Sequence, residues 1–141
     1  MSVTTKEVTV FLIEDDDVDA MAIDRGFKKH RIGNQTVRAH DGLEALEMLR
    51  KDEVPKPFII LLDLQMPRMN GIEFLEELRK DSSLSGTVVF VLTTSDAEED
   101  ITKSYRQHIA GYLVKDEMGK DFLEVVHLLE GYWKIVHLPG A

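Results

Sequence analysis

Acids and hydroxyls gather in this chain where apolar runs stop. "VTVFLI" (Val8 to Ile13) runs into Glu14, Asp15, Asp16 and Asp17, and "FIILL" (Phe58 to Leu62) runs into Asp63. "VVFVLT" ends in Thr93, with Thr94 and Ser95 after it, and "GYLV" is followed by Lys115. An acid directly after an apolar run sits beside low-dielectric surface and needs a compensating partner. Lys115 could supply it as a salt bridge, and a cation could supply it too. Several carboxylates packed together repel one another unless a cation binds among them. Magnesium suits such a set, being hard, oxygen-seeking and satisfied by two or three carboxyl or carbonyl ligands plus waters. With the hydroxyls and the lysine, the set reads as a site for a divalent cation and a phosphoryl group.

Other residues read more plainly. Asp16, Asp17 and Asp19 fall where a helix begins, and acids there cap free N–H groups and suit the helix dipole. "DDDVDA" is not a calcium loop, because Ala20 stands where the sharp turn wants Gly and Gly26 where the bidentate Glu belongs. His30, His40, His108, His127 and His137 show no close ligand pairing, and Met66 and Met69 read as loop packing.

These residues need elements to carry them. Five short runs read as strands: Val8 to Ile13, Thr36 to His40, Phe58 to Leu62, Val88 to Thr93 and Gly111 to Val114. The first, third and fourth are nearly continuous in apolar character, as strands covered on both faces are, which points to a parallel sheet. Between them lie segments of helical period. Leu43, Leu46 and Leu49 mark one apolar stripe, Ile72, Leu75 and Leu78 a second, and Met118, Phe122, Val125, Leu129 and Trp133 a third. Alternating units of this kind imply a doubly wound α/β fold. In such sheets the functional crevice lies beyond the carboxyl ends of the strands, where the acids collect.

Composition narrows the partners. The chain has 141 residues, the size of one domain, and 17 basic against 26 acidic residues, a formal charge of −9. That sign disfavours nucleic acid and anionic membranes as partners. With no cysteine, disulfides, thiolate metal sites and cysteine nucleophiles are excluded. No stretch has the length of a bilayer span or a secretory signal, and a cytoplasmic protein is expected.

Taken in order and spacing, "FLIEDD", "AHDGLEALEML", "LLDLQMPRMNG", "VLTTS" and "GYLVKD" resemble the receiver domain of bacterial two-component response regulators across nearly the whole chain. The resemblance implies a flavodoxin-like sheet of order 2-1-3-4-5 with helices on both faces. It implies that Asp63 accepts a phosphoryl group from a sensor histidine kinase. Asp15 would be the direct magnesium ligand, Glu14 would act mainly through a coordinated water, and Gln65 would lend its backbone carbonyl. Thr93 matches the switch hydroxyl, Lys115 the site lysine and Tyr112 the aromatic rotamer partner. Such a protein is not an enzyme beyond its own phosphorylation and dephosphorylation. It signals to a downstream target or a phosphotransfer protein. Asp116 departs from the family, many of whose members have Pro after the lysine. Gln65 and Ser95 occupy positions that tune loss of the phosphoryl group.

Two rival classes remain open on the residues. A haloacid-dehalogenase-type phosphohydrolase also uses an aspartyl nucleophile after an apolar strand, but it wants a second acid where Gln65 stands. A phosphate-independent interaction module would keep the fold without the chemistry, against which Glu14, Asp15, Asp63, Thr93 and Lys115 argue. The expected organisation is one stand-alone receiver over residues 1–141, with an extension at 131–141. Its apolar residues, Tyr132, Trp133, Ile135, Val136 and Leu138, suit either a tail folded back on its domain or an isologous homodimer contact, and the homodimer is the expectation. The ending "HLLEGYW" to "VHLP" also resembles single-domain regulators associated with phytochrome-type sensor kinases.

Overall fold

A computed structural model describes residues 8–29, 33–64, 66, 68–93 and 105–114. Five strands, β1 (Thr9–Ile13), β2 (Thr36–Ala39), β3 (Phe58–Asp63), β4 (Val89–Thr93) and β5 (Gly111–Val114), form one parallel sheet in the order β2-β1-β3-β4-β5. Three helices, α1 (Asp17–Lys29), α2 (Gly42–Arg50) and α3 (Gly71–Lys80), complete the described elements. The expected strand order is therefore met. The third stripe, from Met118 to Trp133, and the extension at 131–141 lie outside the described residues.

The continuous apolar runs follow from burial on both sheet faces. Side chains alternate across a strand. Phe11, Ile13, Ile60, Leu62 and Val91 therefore join Leu46, Leu49, Phe74, Leu75 and Leu78 of α2 and α3 in one core. Val10, Leu12, Ile59, Leu61, Phe90 and Leu92 join Ala20, Ile23 and Phe27 of α1 in the other. β2 is an edge strand and only its Ala39 is buried, so its sequence alternates instead.

The helix stripes need one correction. Leu43 is exposed, and Ala45 takes its place beside Leu46 and Leu49 in the core, while Ile72 only borders the core that Phe74 enters fully. The helix starts explain the shift. Asp41 caps α2 by accepting from the Glu44 N–H, and Asn70 and Glu73 form a reciprocal capping box on α3. Each cap sets the rotation of its first turn, and Leu43 lands on the solvent side.

The sheet switches direction between β1 and β3, since β2 lies on one side of β1 and β3 on the other. Register sets Ile13 opposite Leu62. The residues that follow, Glu14 and Asp63, thus emerge side by side at the carboxyl edge, where open α/β sheets place their ligands.

Candidate functional site

Three carboxylates meet at this switch point. Glu14, Asp15 and Asp63 each offer an oxygen, and these oxygens lie within 4.8 Å of one another. Glu14 and Asp63 are buried and Asp15 half-buried. Two unit charges at that spacing repel by about 3 kcal/mol at an effective dielectric of ~20. Three hard oxygen donors at this separation fit a magnesium or manganese ion, which would replace that repulsion with attraction.

Backbone contacts hold both arms of the site. The Glu14 N–H donates to the Ala39 carbonyl at 3.0 Å, and the Glu14 carbonyl accepts from Arg38 Nε at 3.0 Å and Nη2 at 2.9 Å. Arg38 Nη1 also pairs with Asp17 at 2.8 Å. Asp16 Oδ1 accepts from the N–H groups of Val18 and Asp19, so it caps α1 as its position suggested. On the other arm, the Gly71 N–H donates to the Leu64 carbonyl at 3.1 Å, closing the loop after Asp63. A Cβ on Gly71 would lie 2.6 Å from Leu64 Cα and 2.8 Å from the Asp63 carbonyl oxygen, which explains the glycine.

That loop is also tied to α2. Arg68, held at φ 59°, donates through Nε and Nη2 to Asp41 Oδ2, and Met69 packs where a Cβ on Gly42 would stand. Burial pushes the Asp41 carboxyl up, but the Glu44 N–H and the Arg68 hydrogen bonds and charge outweigh it and hold the group below its ordinary range. Met66 and Met69 pack against the core, as loop filler should.

The remaining site residues divide. Asp63 is opposite Leu92 in the β3–β4 register, so Thr93 ends its strand one residue further along the same edge. Tyr112 is 48% exposed on β5. Lys115, Gln65, Thr94, Ser95 and Asp116 lie outside the described residues. Arg38 and the Asp41–Arg68 pair were not singled out by spacing, because Arg38 reaches Glu14 across 24 residues of chain and Arg68 reaches Asp41 across 27. Asp41 left the clearest trace, an acid three residues before Glu44 at a helix start.

A model of the response regulator receiver domain matches residues 10–127. The chain belongs to that family. It is 34% identical over 137 residues to the response regulator Rcp1 of Synechocystis sp., covering 94% of this chain and 93% of that protein. The crystal structure of the Mn2+-bound form of Rcp1 superposes with a TM-score of 0.70, covering 94% of this chain and 99% of Rcp1. The phosphorylated cyanobacterial phytochrome response regulator RcpA, 32% identical, gives a TM-score of 0.74 over 95% of this chain and 99% of its own. Receiver family and sheet order both agree with the motifs in the sequence. No helix among the described residues is long and apolar enough to cross a membrane.

Proposed function

We propose that this chain is a stand-alone response regulator that takes a phosphoryl group from a sensor histidine kinase onto Asp63 and thereby changes the surface it offers a partner. The observation that carries this reading is the meeting of the Glu14, Asp15 and Asp63 oxygens at the sheet's switch point. Asp15 and Asp63 would ligate a magnesium ion directly, Glu14 through water, and Gln65 through its carbonyl. When bound, the ion supplies positive charge against the phosphoryl oxygens and the attacking carboxylate.

Each protein group then has a defined task. An Asp63 oxygen attacks phosphorus in line, the bond from phosphorus to the kinase imidazole breaks, and an aspartyl phosphate forms as the imidazole leaves. Burial of Asp63 holds the carboxylate in one orientation, which supplies the proximity part of the acceleration. Lys115 would contribute a second positive charge. The Thr93 hydroxyl would donate to a phosphoryl oxygen and draw the end of β4 inward, vacating space for Tyr112. A local charge change would thus bias a two-state surface. No further catalytic activity is needed.

The relatives lend support to one class of partner. RcpA is described as a phytochrome response regulator, and similarity to it supports a phytochrome-type kinase as the phosphodonor. A downstream target or phosphotransfer protein would receive the signal. A homodimer through 131–141 and a cytoplasmic location complete the reading, with nucleic acid and anionic membranes disfavoured as partners by the −9 charge.

Acetyl phosphate with and without magnesium, followed by intact mass, tests it. Wild type is expected to gain one phosphoryl group only with magnesium, and Asp63→Asn none while keeping its fold. Absence of an adduct in wild type would favour the phosphate-independent module. Steady turnover of small phosphate esters would favour the hydrolase. Light scattering on the same samples reports whether the dimer answers to phosphorylation.

A further inference from the structure

The turn that carries Asp15 is short and acidic, and it is braced from outside by one cation. Arg38, on the edge strand β2 and 25% exposed, places Nε and Nη2 on the Glu14 carbonyl and Nη1 on the Asp17 carboxylate. Its guanidinium spans from Glu14, the first residue after β1, to Asp17, the residue that opens α1. Asp15 and Asp16 lie between those two anchors. The Ala39 carbonyl, next along β2, takes the Glu14 N–H, so both backbone polar groups of Glu14 are held by consecutive β2 residues.

We propose that Arg38 is a positioning residue for the metal site, fixing the β1–α1 turn so that Glu14 and Asp15 meet Asp63 before any ion arrives. The inference rests on the metal reading given above. A planar guanidinium suits the task, because it donates to a carbonyl and a carboxylate at once in a rigid fork, which an ammonium cannot do. Charge alone would act in the opposite direction. A cation this near the carboxylates repels a divalent ion, so its removal by charge arithmetic would tighten metal binding. Removal of a positioning group loosens the turn and weakens it. The sign of the effect therefore separates the two accounts.

The test is Mn2+ binding, with the free aquo ion counted by electron paramagnetic resonance, on wild type, Arg38→Ala, Arg38→Lys and Asp15→Asn. Positioning predicts a Kd raised about 10-fold in Arg38→Ala, the scale of outer-shell effects on metal affinity. It predicts an intermediate Kd in Arg38→Lys, which keeps the charge and loses the fork. Unchanged or tighter binding in Arg38→Ala, or wild-type affinity in Arg38→Lys, overturns the inference and leaves the metal reading standing. Wild type that fails to bind Mn2+, or Asp15→Asn that binds it as well as wild type, overturns the metal reading and this inference with it. Thermal unfolding without metal accompanies each variant, and if Arg38→Ala does not fold, Arg38→Lys alone decides.

Discussion

Arg68 Nε donates to Asp41 Oδ2 at 2.7 Å across 27 residues of chain, joining the loop that follows Asp63 to the cap of α2. The carboxylate is buried and the guanidinium 62% exposed, so the pair is anchored in the protein at one end while the other stays in water. It also compensates the left-handed backbone of Arg68, a conformation that a non-glycine residue holds only when its surroundings enforce it.

Asp41 serves two elements, so its loss should exceed the loss of its partner. Asp41→Ala is expected to destabilise by about 2 kcal/mol, at the upper end for a helix cap, and Arg68→Ala by about 1 kcal/mol or less, given its exposure. Urea unfolding of both single variants and the double variant should give a coupling of about 0.5–1 kcal/mol. Strict additivity would mean that the ion pair stabilises nothing.

The same carboxyl predicts an acid-side dependence. Its folded-state pKa lies below the ordinary aspartate value of 3.8, so the stability it contributes is present above that value and is lost as pH falls through the lower, folded one. Asp41→Asn keeps a capping oxygen and removes the charge. The stability gap between wild type and Asp41→Asn should be widest near neutrality and close below about pH 4. Urea midpoints measured from pH 7 to pH 3 check this, and a gap that widens with acid would contradict it.

Gly71 opposes a preference of its own helix. Propensity favours alanine by up to about 1 kcal/mol, yet the added Cβ would meet the backbone of Leu64 and Asp63, which cannot swing aside. Overpacking of this kind costs about 1–3 kcal/mol. Gly71→Ala is therefore expected to be less stable than wild type and to take up phosphoryl from acetyl phosphate several-fold more slowly. A more stable variant with unchanged labelling would show that the loop yields freely.

Metal should stabilise the fold through the three acids. A ligand at 100 times its Kd contributes about 2.7 kcal/mol when it binds only the folded state. Magnesium is expected to raise the unfolding temperature of wild type and, at the same concentration, to leave Asp15→Asn nearly unmoved. Chelation should reverse the gain. An equal rise in both proteins would assign the effect to general charge screening.

Arg79 offers a purely structural contrast. Its guanidinium donates to the carbonyls of Ser85, Thr87, Gln107 and His108, tying the end of α3 to the segments entering β4 and β5, and burial lowers its pKa. Arg79→Met should destabilise by about 2 kcal/mol, because four acceptors lose one charged donor. Metal affinity should be unchanged, since the cluster lies at the amino ends of the strands, away from Asp63.

The residue order alone determined the fold class and the acids of the site. Strands covered on both faces must be apolar throughout, and an acid that ends such a run is visible without coordinates. Tertiary structure decided what brings those acids together. The β1–β3 register sets Glu14 beside Asp63, and register depends on pairing between segments that no local pattern encodes. The roles of Arg38, Arg68 and Arg79 were equally hidden, since a long cationic side chain on a half-exposed position looks like any solvated charge until its distant carbonyl or carboxylate partners are placed. Leu43 shows the converse. It matches the apolar period of α2, yet the Asp41 cap rotates it into solvent, because spacing gives a stripe's period while capping and packing set its phase.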